Sequence, residues 1–401
     1  MTAFQGKQLA GPSLLFKRIV EQIEAGHPDP GFQRKAAAVA RLSRLFTKER
    51  ETLGADYLED PHLAAAYFSY FFPVNLSKIQ ALLEELPEDW CRPSESRPLR
   101  VLDLGTGPGT GAVAVLDWLN QHDPDALKQL TVVGIDVSTQ ALSRARGVWR
   151  AYSRQIGVAE ERLVLYEGDL TRPSRPWHEA VAQRGPYDLV IIANCLNELF
   201  RTIGESIKER VGLIADMLAT LAPHGTLMIV EPALRETSRA LHQIRDRLLA
   251  EHRCTIYSPC LHEKNCPALL NPDDWCHEER PWEPPSWIQR IDHEVGFIKD
   301  ALKFSYLLLR TDGRTIVERA AETFRMVSEL RKLKGDTRAW LCNELGRQEV
   351  GRLERASSAD NAAWDRCGRG TIIRIEGITK KEGSTLGRIP PQGKIEILRP
   401  S

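Results

Sequence analysis

From about residue 13 to residue 90 the apolar positions recur every three to four residues, as in LLFKRIVEQI, AAVARLSRLF, AAAYFSYFF and LSKIQALLEEL, the spacing that lines one face of a helix. Pro28, Pro30, Pro61 and Pro73 punctuate these runs, so several helices are expected instead of one long one. A polar stretch, CRPSESRPLR, then leads to a change of period at Val101. The runs RVLDLG, TVVGIDV, RLVLYEG, YDLVIIANC and GTLMIVEP are short and apolar, and helical patterns such as TQALSRARGVWRAY and IKERVGLIADMLATL lie between them. Strands alternating with helices predict an α/β fold built on a doubly wound, largely parallel sheet. After Glu231 the rhythm is lost in a loop dense in Cys, Pro, His and Trp, and KFSYLLLR, Lys303 to Arg310, then reads as a further strand of the same sheet. The Gly- and Pro-punctuated tail carries two more strand candidates, TIIRIE and KIEIL. Four parts are expected: a helical N-terminal module over 1–96, an α/β core over 97–250 continued by the strand near 303–310, a Cys-rich insertion over 251–302, and a small β-rich C-terminal module over 311–401.

Composition narrows the class without choosing a partner. A chain of 401 residues suits one large core with smaller modules appended. With 54 basic and 54 acidic side chains, net charge argues neither for nor against nucleic acid. From Asp365 onward eight Lys and Arg face four acids, an excess that suits phosphate contacts or simply a solvated surface. No run approaches the roughly 20 apolar residues of a membrane span, and the first residues lack the apolar core and cleavage pattern of a secretory signal. The expectation is a monomer without membrane association, in a bacterial-type cytoplasm, or in the mitochondrion if the source is eukaryotic. In such reducing compartments eight cysteines are more readily metal ligands, redox groups or buried thiols than disulfides.

The segment VLDLGTGPGTGA places Asp103, Gly105, Gly107 and Gly109 between a strand and a helical stretch, where a turn that cradles a ligand belongs. Position 110 is Thr, so this is not the dinucleotide pattern; the D-x-G-x-G-x-G form resembles motif I of the class I S-adenosylmethionine methyltransferases. Asp136 ends TVVGID and Asp169 ends LVLYEGD, both at the carboxyl ends of expected strands, where open α/β sheets bind ligands. The resemblance implies that Asp136 accepts hydrogen bonds from the ribose hydroxyls and that Asp169 holds the adenine amino group; each alone is also compatible with a helix N-cap. The fourth strand ends in ANCLNEL, without the Asn-Pro-Pro-aromatic or Asp-Pro-Pro-aromatic tetrad of exocyclic-amine methylases. Asn194 and Glu198 are candidate cofactor-edge or substrate contacts, no residue stands out as a catalytic base, and Cys195 has no partner cysteine of the kind used in covalent cytosine methylation.

Cys260, Cys266 and Cys276 lie in SPCLHEKNCPALLNPDDWCHEE, and Cys342 follows in AWLCNELG. Four thiolates suit a tetrahedral zinc or a cubane iron–sulfur cluster. The spacing between the first two is wider than a zinc knuckle, and C-x₃-C-x₂-C is absent, which argues against radical chemistry on S-adenosylmethionine. Cys254 offers a rival ligand set with Cys260, Cys266 and Cys276, while His262 and His277 read as hydrogen-bonding neighbours of a metal site sooner than as its ligands. Trp275, Trp282 and Trp287, with Arg280 and Arg290, either shield that site or stack on RNA bases.

These residues, with KFSYLLLR, LCNELG, LNEL and IVEP, resemble the family of mitochondrial small-ribosomal-subunit assembly proteins with a methyltransferase fold, and its bacterial relatives, over about residues 65–375. The resemblance implies a [4Fe–4S] cluster on Cys260, Cys266, Cys276 and Cys342, bound S-adenosylmethionine, and a role in building the small ribosomal subunit on its rRNA. Ser258 and Leu261 depart from the family's commoner Ala and Pro. A methyltransferase acting on ribosomal RNA or protein, a non-catalytic assembly factor that keeps the fold, and a zinc-bearing small-molecule methyltransferase all remain open at this point.

Overall fold

The computed structural model describes residues 12–25, 31–49, 52, 57–92, 97–172, 176–201, 204–297 and 300–400. Pro28, Pro30, the linker residues 93–96 and both ends of the chain lie outside them. Helices α1 (Leu14–Ala25), α2 (Phe32–Thr47), α3 (Pro61–Ala66) and α4 (Phe72–Leu83) precede the first strand, with a single wider turn, Tyr67–Phe71, joining the last two. Asp60 starts α3, its carboxylate accepting from the amides of His62 and Leu63, and Pro61 occupies the first turn, where no amide is needed. The aromatic run then buries Tyr67, Phe68, Tyr70 and Phe72 in one cluster with Val101, Val132 and Met228 of the sheet.

Strands β1 (Leu99–Leu104), β2 (Leu130–Asp136), β3 (Leu163–Glu167), β4 (Tyr187–Ala193) and β5 (Leu221–Pro232) run parallel in the order 3-2-1-4-5. They are joined by α5 (Thr110–His122) with the short α6 (Pro124–Leu127), α7 (Thr139–Ile156), α8 (Pro176–Arg184) and α9 (Ser206–Leu218). The sheet is buried on both faces, as the near-continuous apolar strands require. After α10 (Arg235–Ala250) come β6 (Thr255–Ser258), β7 (Glu278–Pro281), α11 (Ser286–Val295) and β8 (Ala301–Arg310). Strand β8 lies antiparallel to β5 and carries β6 and β7 on its other edge. The sheet thus continues past residue 250: TIYS is too short to stand out by period, but Ile256 registers with Leu309 and joins the core. Within 251–302 the β6–β7 loop and the α11 segment leave the sheet.

The remaining strands, β9 (Thr323–Met326), β10 (Arg331–Leu333), β11 (Asp336–Asn343), β12 (Gly346–Leu353), β13 (Ile372–Glu376), β14 (Thr379–Lys380), β15 (Gly387–Arg388) and β16 (Lys394–Arg399), form a second sheet around Phe324, Met326, Leu341, Trp364 and Ile373. Where the two sheets and α4 meet, Glu85 is buried among Arg280, Arg325, Ser258 and Tyr306. No helix among the described residues is long and apolar enough to cross a membrane.

Candidate functional site

A cavity of about 350 Å³ opens above the carboxyl ends of β1 to β5. Its floor is the turn between β1 and α5, where Gly105, Gly107 and Gly109 have φ of 65°, 53° and 90°, a region costly for residues with a Cβ. Asp103 shapes this turn from beneath: Oδ2 accepts from Thr106 Oγ1 at 2.6 Å and from the Ala112 amide at 3.0 Å. Burial pushes its pKa up to about 6, against those two bonds, which act to lower it. Asp136 ends β2 and accepts from the amides of Gly107 at 2.8 Å and Ser138 at 2.9 Å, so it is tied to the turn it faces. Burial raises its pKa, partly offset by those amides. A carboxylate oxygen with one bond from an amide keeps a lone pair for a ligand hydroxyl.

Asp169 sits two residues beyond the end of β3. Its Oδ1 accepts from the amide (2.9 Å) and hydroxyl (2.6 Å) of Thr171, and its Oδ2 from Arg172 Nε at 2.9 Å. Burial acts to raise its pKa, but Thr171 and Arg172 outweigh it and hold the carboxyl below its ordinary value. Asn194 follows β4 with φ of 57°, its amide donating to Val230 O at 2.7 Å. Asp103, Gly105, Gly107, Asp136, Asp169 and Asn194 line the cavity, as do Glu198, Val137 and Cys195, whereas Gly109 does not and instead backs onto Ala145. The Cys195 thiol points at Leu104 O, 3.3 Å away, and burial followed by the surrounding carboxyls lifts its pKa far above the ordinary thiol value, the opposite of an activated nucleophile.

Sequence reasoning missed the roof. Phe46, Tyr57, Tyr67, Phe71, Asn75 and Lys78, all preceding β1, close the cavity from above, with the Tyr67 hydroxyl 3.4 Å from Thr110 Oγ1 at the start of α5. The aromatic density of AAAYFSYFF was the available signal, but it reads equally well as core. Gly105→Ala is an informative perturbation of the floor, because its Cβ would stand 2.6 Å from Cys195 Sγ at a positive φ. We expect a loss of about 1–3 kcal/mol in urea unfolding. An unchanged midpoint would mean that the turn moves away freely.

A second cavity, of about 50 Å³, is lined by Cys260, Cys266, Cys276 and Cys342. The first two leave β6, the third precedes β7, and the fourth comes from β11 in the other sheet. Cys254 does not line it. Burial raises the pKa of the Cys276 thiol to about 11, and Cys260 beside it adds to the effect; burial likewise raises Cys266 and Cys342, each with neighbouring cysteines contributing. Thiolates crowded in this way are a donor set whose charge a cationic iron or zinc centre would offset. A water needs roughly 10–15 Å³ of such space, so there is room here for a group of several atoms. Among the described residues, no group of three or more His, Cys, Asp or Glu side chains is arranged to hold a single metal ion.

One face of α10 organises this loop, a feature the sequence reading did not include. Arg239 donates to the carbonyls of Ala268, Leu269, Asn271 and Asp274; His242 Nε2 lies 2.9 Å from Cys276 O; and the fully buried Arg245 donates to the carbonyls of His262 and Lys264. Asp246 accepts from the Cys266 amide. His262 Nε2 stands 3.7 Å from Cys342 Sγ, its pKa lowered to about 4 by burial and then by Arg245, while His277 bonds Glu279 at 3.0 Å. Trp282 is buried and Arg280 is buried against Glu85, whereas Trp275 and Trp287 are half-buried, their indole N–H groups donating to Ala233 O and Ser69 O, and Arg290 is exposed.

The order 3-2-1-4-5 with an antiparallel strand beyond β5, and the glycine turn at the carboxyl end of β1, define a class I S-adenosylmethionine methyltransferase-like fold. Residues 61–356 match the family described as mitochondrial small ribosomal subunit Rsm22, and the chain belongs to that family. No curated protein matches it. Similar solved structures include an O-methyltransferase family protein from Burkholderia thailandensis, 17% identical with TM-score 0.33, covering 67% of this chain and 64% of that one. The CcbJ methyltransferase from Streptomyces caelestis is 22% identical with TM-score 0.24, covering 36% of this chain and 49% of that one. The chain therefore spans less than two thirds of either relative. The plantazolicin methyltransferase BpumL in complex with SAH is 13% identical with TM-score 0.32, covering 74% of this chain and 99% of that one.

Proposed function

We propose that this protein associates with the small ribosomal subunit and its rRNA during ribosome assembly, binds S-adenosylmethionine in the larger cavity, and holds a [4Fe–4S] cluster in the smaller one as a structural clamp. The observation that carries the cofactor reading is the joining of the glycine turn to Asp136 through the Gly107 amide, at the strand ends where such sheets bind ligands. On this reading Asp136 takes the ribose hydroxyls, Asp169 the adenine amino group and Val137, an exposed residue that lines the cavity, an apolar face of the base. Asp103, Gly105, Gly107 and Gly109 shape the floor and Asn194 its edge. Cys260, Cys266, Cys276 and Cys342 are the cluster ligands, supported by the room in their cavity and by its four-thiol lining. When bound, the cluster supplies a covalent tie between the β6–β7 loop and the second sheet. The ribosomal association rests on membership of the family.

Two observations favour a binding role over methyl transfer to a base. The strand-end tetrad of amine methylases is absent, and the Cys195 thiol is turned to a backbone carbonyl. Titration calorimetry with S-adenosylmethionine tests the cofactor reading, and Asp136→Ala is expected to weaken binding by about tenfold or more, since hydrogen bonds to a charged group are worth about 1.5–3 kcal/mol. Wild-type affinity in that variant would refute the site. Co-sedimentation with small subunits at modest salt tests the partner, and transfer of labelled methyl groups to small-subunit precursors, abolished by Asp103→Ala, would overturn the binding-only version.

A further inference from the structure

The wall of the larger cavity is unevenly charged. Asp103, Asp136, Asp169 and Glu198 are its acids, whereas among the described lining residues Lys78 and Arg201 are the cations. S-adenosylmethionine at neutral pH carries a sulfonium, an ammonium and a carboxylate. Acidic walls suit the first two, but a carboxylate withdrawn from water needs a donor of its own.

The two cations are placed differently. Arg201 is exposed and directs Nε to Asn197 O at 3.3 Å. Lys78 is half-buried on α4, where Nζ donates to Asn75 Oδ1 at 3.1 Å and both side chains line the cavity. Helix α4 packs on α5 and reaches β8, which places it over the β1–β4–β5 side of the sheet; Asp136 and Asp169 follow β2 and β3, on the other side. A nucleoside at Asp136 and Asp169 therefore lays its amino-acid end toward α4.

We propose that Lys78 is the ion-pair partner of the α-carboxylate of S-adenosylmethionine and of S-adenosylhomocysteine, so that the helices before β1 complete the cofactor site. This inference rests on the cofactor reading above. A compact ammonium on a flexible stem, held by Asn75, suits a single carboxylate better than a rigid fork would.

The test is titration of the full chain and of its Lys78→Ala and Lys78→Arg variants with two ligands. S-adenosylhomocysteine has the amino acid; 5′-methylthioadenosine keeps the nucleoside and sulfur and lacks it. Lys78→Ala is expected to weaken S-adenosylhomocysteine by about tenfold or more while leaving methylthioadenosine within about twofold, and Lys78→Arg to recover most of the loss. Equal weakening of both ligands would reduce Lys78 to a support of the roof and overturn the assignment. No change for either would overturn it too, leaving the carboxylate to other donors such as the amides at the start of α5. Failure of the wild-type chain to bind either ligand would instead refute the cofactor reading itself.

Discussion

Purified without oxygen, the protein is expected to carry iron and acid-labile sulfide in near-equal amounts, about four of each per chain, and Cys342→Ser is expected to lose both. Cys342 lies 66 residues beyond Cys276, yet it is the β11 residue that lines the cavity with the three cysteines of the β6–β7 loop. Apart from the cavity, that loop is held mainly by the α10 side chains that bond its backbone, and Leu270 within it is 87% exposed. Where metal binding supplies a module's folding free energy, removing one ligand unfolds the module and does not merely loosen it. Limited proteolysis of Cys342→Ser should accordingly open new cuts between residues 259 and 277, while Cys254→Ser, outside the cavity, keeps both the metal and the wild-type pattern. One zinc per chain without sulfide would overturn the cluster and leave a zinc clamp. A Cys342→Ser variant that keeps its iron would remove the second sheet from the site.

The parts of this site that the sequence exposes are those in which function and local structure use the same residues. A strand, three glycines and an acid within VLDLGTGPG point to a tight turn at a strand end, and the three glycines all adopt positive φ. Asp136 was legible for the same reason, while Asp169 was less so, because β3 stops two residues before it and Gly168 continues the apparent strand. Cys342 has no local signature beyond LCNELG; only the resemblance to a family joined it to the other three. The roof and the α10 face were hidden for a different reason. Tyr67, Lys78, Arg239 and Arg245 sit on helices whose periodicity explains them fully as core or solvated positions, and what they touch lies on other elements. Glu85 is the extreme case. In ALLEELPEDW it reads as a solvated helix end, and it is buried because its partners arrive from positions 173 to 240 residues away.

Those partners make Glu85 the residue whose loss should cost most in stability outside the two cavities. Its carboxylate accepts from Ser258 Oγ at 2.6 Å and from the Tyr306 hydroxyl at 2.8 Å, is paired with Arg280, and lies 3.3 Å from Arg325, while Glu278 takes Arg325 at 2.7 Å and Arg280 at 3.4 Å. Two acids and two arginines balance. Four strands and the end of α4 thus meet on charges that are each buried and each compensated. Glu85→Ala leaves the two guanidinium groups with one carboxylate in a water-poor site, and breaking a buried pair in this way costs about 3–5 kcal/mol. Glu85→Gln keeps the shape and most hydrogen bonds but not the charge, so it separates the electrostatic part. Burial acts to raise the Glu85 pKa, but Arg325, then Arg280, with Ser258 and Tyr306, outweigh it and bring the value down from 4.5 to about 2. A depressed folded-state pKa means that the stabilisation is fully present above the unfolded-state value and is lost as pH falls from about 4.5 through about 2, a gap worth about 3 kcal/mol. Urea unfolding should therefore find Glu85→Gln less stable than wild type by about 3 kcal/mol at pH 7, with the difference shrinking as the buffer is taken below pH 4.5. A difference that stays constant across the acid range would assign the loss to packing, and one below about 1 kcal/mol at pH 7 would mean that the cluster contributes no more than an exposed ion pair.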